Sequence, residues 1–208
     1  MQKIVMTVLL LAATLGLGGC GYNNMQAGDQ QIKASWAEVV NQYQRRADLV
    51  PNLVNTVKGY AAHEEAVFTQ VAQARAKVGT ITLRAEDLAD EAKLKAFQAA
   101  QGELSGALSR LMAVSESYPQ LKADGLFQNL QAQLEGTENR VTVARNRYIQ
   151  SVRDYNVAVR SFPRNVTASM FGYKTKASFS VENEAQISTA PPVNFERPAT
   201  PPSQPPQP

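Results

Sequence analysis

Apolar residues recur at helical spacing along most of the chain. The clearest stretch runs from Asp124 to Phe162. With Phe127 as the first position of a seven-residue repeat, that position holds Phe127, Leu134, Val141, Tyr148, Tyr155 and Phe162. The position three residues later holds Leu130, Thr137, Ala144, Ser151 and Ala158. Large residues alternating with mostly small ones at spacings of three and four form a seam of coiled-coil type, in which small side chains admit a close neighbour. Asp124 is placed to cap this helix and Pro163 to stop it. At 1.5 Å per residue it spans about 58 Å.

A second stripe, Leu94, Phe97, Gln101, Leu104, Leu108 and Leu111, predicts a helix over about Glu86–Glu116, with Tyr118 closing it and Pro119 ending it. Residues 120–123 then read as a loop. Gly102 and Gly106 lie inside this helix, each at a cost of about 1 kcal/mol against Ala. Close packing on a neighbouring helix is the expected compensation. A third stripe, Trp36, Val40, Tyr43, Ala47, Val50, Val54, Val57, Ala61, Phe68 and Val71, stays in phase from about Met25 to Val78. Pro51 interrupts it. One kinked helix is the first expectation. A helix broken there, with Asp48 as cap and Pro51 in its first turn, is the alternative. A continuous helix would reach about 81 Å against about 46 Å for the middle one. Either the chain folds back at Pro51, or the end carrying Trp36 and Tyr43 exposes an apolar stripe for a partner. Both readings give an all-α fold, an elongated antiparallel up-and-down bundle of long helices.

After Pro163, residues 165–171 read as a short helix ending at Gly172. Tyr173, Thr175, Ala177, Phe179 and Val181 alternate with polar residues and predict an extended segment lying on the bundle. From Pro191 onward prolines crowd the chain, so residues 182–208 form a tail that cannot bury enough apolar surface to order itself. At the other end, Lys3 precedes an apolar run over 4–17, then Gly18-Gly19-Cys20. A charged start, a short apolar run and small residues describe a secretory signal over residues 1–19, too short to span a bilayer. The helical bundle is then expected over 20–181.

Composition narrows the chemistry. The 208 residues contain one Cys and one His. No internal disulfide framework and no multi-histidine zinc site can be built from them. His63-Glu64-Glu65 fails the HExxH pattern, because the position four after His63 is Val67. No cofactor is expected. A net charge of +3 is weak ground for a nucleic-acid partner. Between Asn139 and Arg164, however, six arginines meet one acid, Asp154, which suits an anionic partner. Arg140, Arg147, Arg153 and Arg160 flank the seam. Arg45, Arg46 and Asp48 form a polar cluster beside Pro51. With Trp36 and Tyr43, these are the candidate interaction residues. Glu64 falls on the first stripe, where a carboxylate is costly unless paired. Arg110 or an arginine beyond Arg140 is its expected partner.

Leu17-Gly18-Gly19-Cys20 resembles the lipobox of bacterial lipoproteins, in which the thiol is diacylated and the signal is cut before it. An ordinary signal followed by a chance Cys is the alternative. Two acyl chains anchor stably, at about 0.8 kcal/mol per buried CH₂. Gly21 lacks the Asp that, in enterobacterial-type lipoproteins, signals inner-membrane retention, so the resemblance implies a lipid anchor in the cell membrane or outer membrane.

Longer segments resemble the LemA family. They are the run over 44–54, Val57-Lys58-Gly59-Tyr60-Ala61-Ala62-His63-Glu64, the run over 103–111, Tyr118-Pro119-Gln120-Leu121-Lys122-Ala123, Glu135-Gly136-Thr137-Glu138-Asn139-Arg140, and the stretch from Ala144 to Pro163. The resemblance implies an elongated helical bundle with an N-terminal membrane anchor and brings no reaction with it. A non-catalytic scaffold or interaction module is therefore expected, with an envelope protein or a second copy as partner. Two alternatives stay open: an envelope enzyme using Glu64 with nearby arginines, and a carrier of an apolar ligand within the bundle.

Overall fold

A computed structural model describes residues 1–179, apart from the side chains of residues 2–5 and 7–20. The Cys20 thiol and the Pro-rich tail therefore lie outside the described residues. The chain forms α1 (Gln2–Lys58), α2 (Glu65–Thr80), a 3₁₀ turn (Ala85–Ala89), α3 (Glu91–Ser117), the single turn α4 (Pro119–Lys122), α5 (Gly125–Arg160) and α6 (Arg164–Phe171). No strand occurs among the described residues. The all-α bundle is as expected. α1 lies along α5, and α2 folds back along α3.

α1 remains helical through Pro51, and the break falls at residues 59–64 instead. Pro51 has no N–H to give the carbonyl of Ala47 four residues earlier. Arg75 of α2 supplies a donor, its Nε–H reaching that carbonyl at 3.2 Å. The fold-back demanded by helix length thus occurs two turns beyond the proline. Asp48 caps nothing, because it lies within α1 and accepts from Gln44 Nε2 at 2.7 Å.

α1 carries two seven-residue ladders on its buried side. One is Met25, Ile32, Val39, Arg46 and Leu53, and the other is Trp36, Tyr43, Val50 and Val57. Val40, expected in the stripe, is exposed, and Val39 takes its place. On α5 the expected seam holds from Phe127 to Tyr148. Beyond it the buried positions are Val152, Tyr155 and Val159, while Ser151 and Ala158 are half-buried. A straight helix of 3.6 residues per turn drifts about 20° per heptad, which carries the stripe one position along. Phe162, expected to end the seam, lies past the helix and is exposed.

The caps follow the sequence. Asp124 accepts from the Phe127 N–H at 2.8 Å, and its other oxygen accepts from Tyr60 Oη at 2.8 Å, tying the end of α1 to the start of α5. Asp90 caps α3 through the N–H groups of Ala92 and Lys93. The segment over 120–123, expected as a loop, is mostly the helical turn α4. Gly106 faces open space, so close packing does not explain it. Gly28 does mark a close approach, since a Cβ there would meet the Tyr155 ring at 3.0 Å.

The core divides in two. One cluster joins Met25–Tyr43 of α1 to Val141–Val159 of α5, with Leu83, Leu88, Leu94 and Phe97. The other joins Val50–Val57 of α1 to α2, to Leu104–Leu111 of α3, and to Phe127–Leu134 of α5. Residues 173–179 lie extended over the first cluster, as expected. The Ala177 N–H donates to the Leu88 carbonyl, Tyr148 Oη donates to the Ala177 carbonyl, and Asn156 brackets Lys176 with two bonds to its backbone. Phe179 closes this segment against Trp36 and Tyr148.

Candidate functional site

Between the two apolar clusters the interior turns polar, and Arg46 is its centre. It stands on the first ladder of α1, between Val39 and Leu53, and is 1% exposed. Its Nη1 donates to Ser105 Oγ and Glu138 Oε1, both at 2.6 Å. Its Nη2 donates to the Gln101 carbonyl at 3.1 Å and to Gln101 Oε1 at 2.6 Å. The guanidinium also lies 5.1 Å from the Tyr43 ring centre. Among the hydrogen-bonding atoms of this side chain only Nε is buried without an acceptor. A planar fork with five donors suits such a fan of acceptors. Buried Thr137 closes the layer from α5 by bonding back to the Gln133 carbonyl.

This layer floors an open cleft of about 450 Å³, walled by Tyr43, Gln98, Thr142, Arg145 and Phe179. Arg145 sits at its rim with its guanidinium 4.6 Å from the Phe179 ring centre. Burial pushes the Tyr43 hydroxyl above its ordinary range, against the pull of the Arg145 and Arg46 charges.

The other candidate residues disperse. Trp36 and Tyr43 do not form an exposed stripe. Trp36 is 3% exposed, donates Nε1–H to the Leu83 carbonyl at 3.1 Å, and packs on Phe97, Tyr148 and Phe179. Tyr43 is buried against Phe97. Both are covered by the chain itself, because α5, α3 and the extended segment close over them. Arg45 is on the surface and Arg46 inside, so the expected polar cluster beside Pro51 is divided between two faces of α1. Arg147 is exposed and bonded to Glu38 at 2.6 Å. Arg140, Arg153 and Arg160 are exposed and in no ion pair among the described residues.

Glu64 does not sit in a helix seam and pairs with no arginine. It is the half-buried residue before α2 and accepts from Tyr118 Oη at 3.2 Å. Arg110, its expected partner, donates instead to Gln70 Oε1. His63 is exposed. No group of three or more His, Cys, Asp or Glu residues that could hold a metal ion occurs among the described residues.

Sequence reasoning grouped Arg46 with Arg45 and Asp48 in one polar cluster beside Pro51. The signal that could have found it inside is its register. Residues 25, 32, 39, 46 and 53 form an unbroken series of seven-residue steps in which the only charged member is Arg46.

The sequence profile of the LemA family matches residues 35–195. The chain belongs to the LemA family. Within that span lie Arg46 and every residue that bonds it. The match begins at Ser35, so Cys20 and the lipobox-like residues lie outside it. The chain is similar to the magnetosome proteins MamQ 1 and MamQ 2 of Paramagnetospirillum magneticum (strain ATCC 700264 / AMB-1). It is 29% identical to each over 194 residues, which cover 85% of this chain and 71% of either relative. It is also 30% identical to the magnetosome protein MamQ of Magnetospirillum gryphiswaldense over 162 residues, covering 70% of this chain and 59% of that protein. As a LemA-family chain it thus keeps the Arg46 layer and both apolar clusters inside, or nearly inside, the span its family shares.

Proposed function

We propose that this LemA-family protein is a lipid-anchored envelope protein, acylated at Cys20, whose bundle acts as a non-catalytic scaffold. The observation that carries this reading is that the residue next to Cys20 already belongs to the packed bundle. Gly21, the residue directly after Cys20, is buried, and a Cβ there would meet Thr167 Oγ1 of α6 at 3.1 Å. No spacer separates the anchoring residue from the fold, so acyl chains on Cys20 hold one end of the bundle at the membrane surface.

Three further observations support a scaffold. The side chains with chemistry in the interior are engaged in holding helices together, as Arg46 does with Ser105, Gln101 and Glu138. Glu64 is held by Tyr118 at a helix start rather than poised beside a cation. Neither the family name nor the names of the magnetosome relatives is that of an enzyme. Among the described residues no helix is long and apolar enough to cross a membrane. The surface left for partners is the exposed face of α5 with Arg140, Arg147, Arg153 and Arg160, and Arg45 with Asp48 on α1.

Metabolic labelling with palmitate in a bacterial host tests the anchor. The wild-type chain takes up label and Cys20→Ser does not. Label persisting in the Cys20→Ser protein refutes acylation at this residue.

A further inference from the structure

Large apolar side chains left in solvent cluster at the Gly21 end of the molecule. α6 buries only Ala168 fully, and turns Thr167 toward Gly21. Val166, Met170 and Phe171 point outward from the same short helix, with Met170 75% exposed. Phe162, just before α6, is 83% exposed. Tyr22 joins them from α1, its ring centre 5.0 Å from that of Phe171.

Among the described residues the chain segments that form this patch carry mostly positive charge. From Tyr155 to Phe179 the chain holds Arg160, Arg164, Lys174 and Lys176 and no acid, and on α1 no acid precedes Asp29. Asp29 is occupied by Lys33 at 2.7 Å and Lys176 at 3.1 Å. Arg160, Arg164 and Lys174 are exposed and enter no ion pair among the described residues. Asp154 of α5 lines a surface pocket with Arg164, is in no ion pair among the described residues, and accepts from Gln150.

Aromatic and aliphatic side chains ringed by unpaired cations are the chemistry of an interfacial membrane contact. We infer that this end of the bundle is a second membrane contact, lying in the headgroup layer of an anionic bilayer. Phe162, Val166, Met170 and Phe171 insert at the acyl boundary, and Arg160, Arg164 and Lys174 meet lipid phosphates. The inference rests on the Cys20 anchor for its proximity to the bilayer. Consecutive Cα atoms are about 3.8 Å apart, so an acylated Cys20 brings Gly21 and the α6 packed on it to the surface. Charge complementarity then selects lipid over a protein as the occupant. Two acyl chains on Cys20 already anchor stably, so what the patch adds is orientation of the bundle on the surface.

The test uses the full-length protein carrying its native modification, reconstituted in vesicles of phosphatidylethanolamine and phosphatidylglycerol. Acylation blocks Cys20, so Met170→Cys offers a single reactive thiol for an environment-sensitive fluorophore. Gln120→Cys, exposed in α4, is the reference. The label at 170 is expected to shift to the blue and to be quenched several-fold more than the label at 120 by lipids spin-labelled near the headgroup. Adding Arg160→Glu, Arg164→Glu and Lys174→Glu is expected to remove most of that difference. Equal quenching at the two positions overturns the inference. So does a blue shift at 170 without lipid quenching, which assigns the patch to a second copy or another protein. Palmitate labelling of the same preparation separates the two readings. Protein that takes up no palmitate refutes the anchor, and quenching at 170 in a Cys20→Ser background, where 170 holds the one thiol, upholds the surface. Labelled protein with 170 in water upholds the anchor and refutes the surface.

Discussion

Arg75 donates its Nε–H to the carbonyl of Ala47, the acceptor that Pro51 leaves without a helical partner. A proline inside a helix removes one bond and typically costs about 3 kcal/mol. Here a side chain from α2 restores a donor, and so pins α2 to α1 at that turn. Arg75→Met keeps the apolar stem and loses the donor, and is expected to destabilise by about 1 kcal/mol, discounted for the exposure of the arginine. In a Pro51→Ala background the backbone N–H returns and the same change should cost far less. Urea denaturation of the four proteins in the cycle checks this, and strictly additive effects would show that the two residues are not coupled.

Arg46 makes an asymmetric prediction. Arg46→Ala strands Ser105, Gln101 and Glu138 and opens a hole between the two clusters, for an expected loss of about 3 kcal/mol. Arg46→Lys should recover only part of it, because one ammonium can stand in for Nη1 between Ser105 and Glu138 but cannot also supply the two Nη2 bonds to Gln101. Glu138→Gln should cost less than about 1 kcal/mol, because Glu138 is 43% exposed and an amide still accepts. Equal losses from Arg46→Ala and Glu138→Gln in chemical denaturation would mean that the charge pair, rather than the fan of acceptors, holds the layer.

Trp36 is the single tryptophan and is buried beside Phe97, Tyr148 and Phe179. Its emission should be blue-shifted and poorly quenched by acrylamide. Trp36→Ala should cost about 3–5 kcal/mol and leave the oligomeric state unchanged. Dissociation of an oligomer at little cost in stability would return Trp36 to an intermolecular surface.

Asp29 sets an acid limb. Its burial works against ionisation, but the bonds and charges of Lys33 and Lys176 prevail and hold its carboxyl below the ordinary value of 3.8. A carboxyl depressed in the fold contributes stability above its unfolded pKa, and loses it as pH falls through the folded one. Asp29→Asn is therefore expected to lower the Tm at pH 7, with the difference from wild type closing once the pH is well below 3.8. A difference that stays constant down to pH 2 would assign the effect to packing.

The long seam of α5 was legible because a large residue every seventh position leaves little freedom in how the helix faces its neighbour. The caps at Asp124 and the end at Gly172 were legible for the same local reason, since each needs one residue type at one place. The turn after α1 was not. Ala61 and Phe68 keep the phase of the stripe across the break, so the pattern reads as continuous helix while the backbone reverses. Continuity across Pro51, the first expectation, holds, and a break there stood as the alternative because the proline's remedy, Arg75, lies 24 residues further along the chain. Arg46 was grouped with Arg45 and Asp48 by charge, although its ladder neighbours Val39 and Leu53 fix the buried face it shares. Exposure of Trp36 and Tyr43 stayed open as an alternative because part of the cover over Trp36, Phe179, comes from an extended segment with no helical periodicity.

α1, like α3 and α5, belongs to both apolar clusters, and it also carries the Gly21 end. It lies lengthwise against α5. A pull applied at that end is therefore directed along the α1–α5 contact and loads it in shear. Two ladders of side chains and the Arg46 crosslink must slide together before the helix can come away. Turned the other way, a push on the far end is carried along a single unbroken backbone to the Gly21 end, making α1 a strut as well as a core helix.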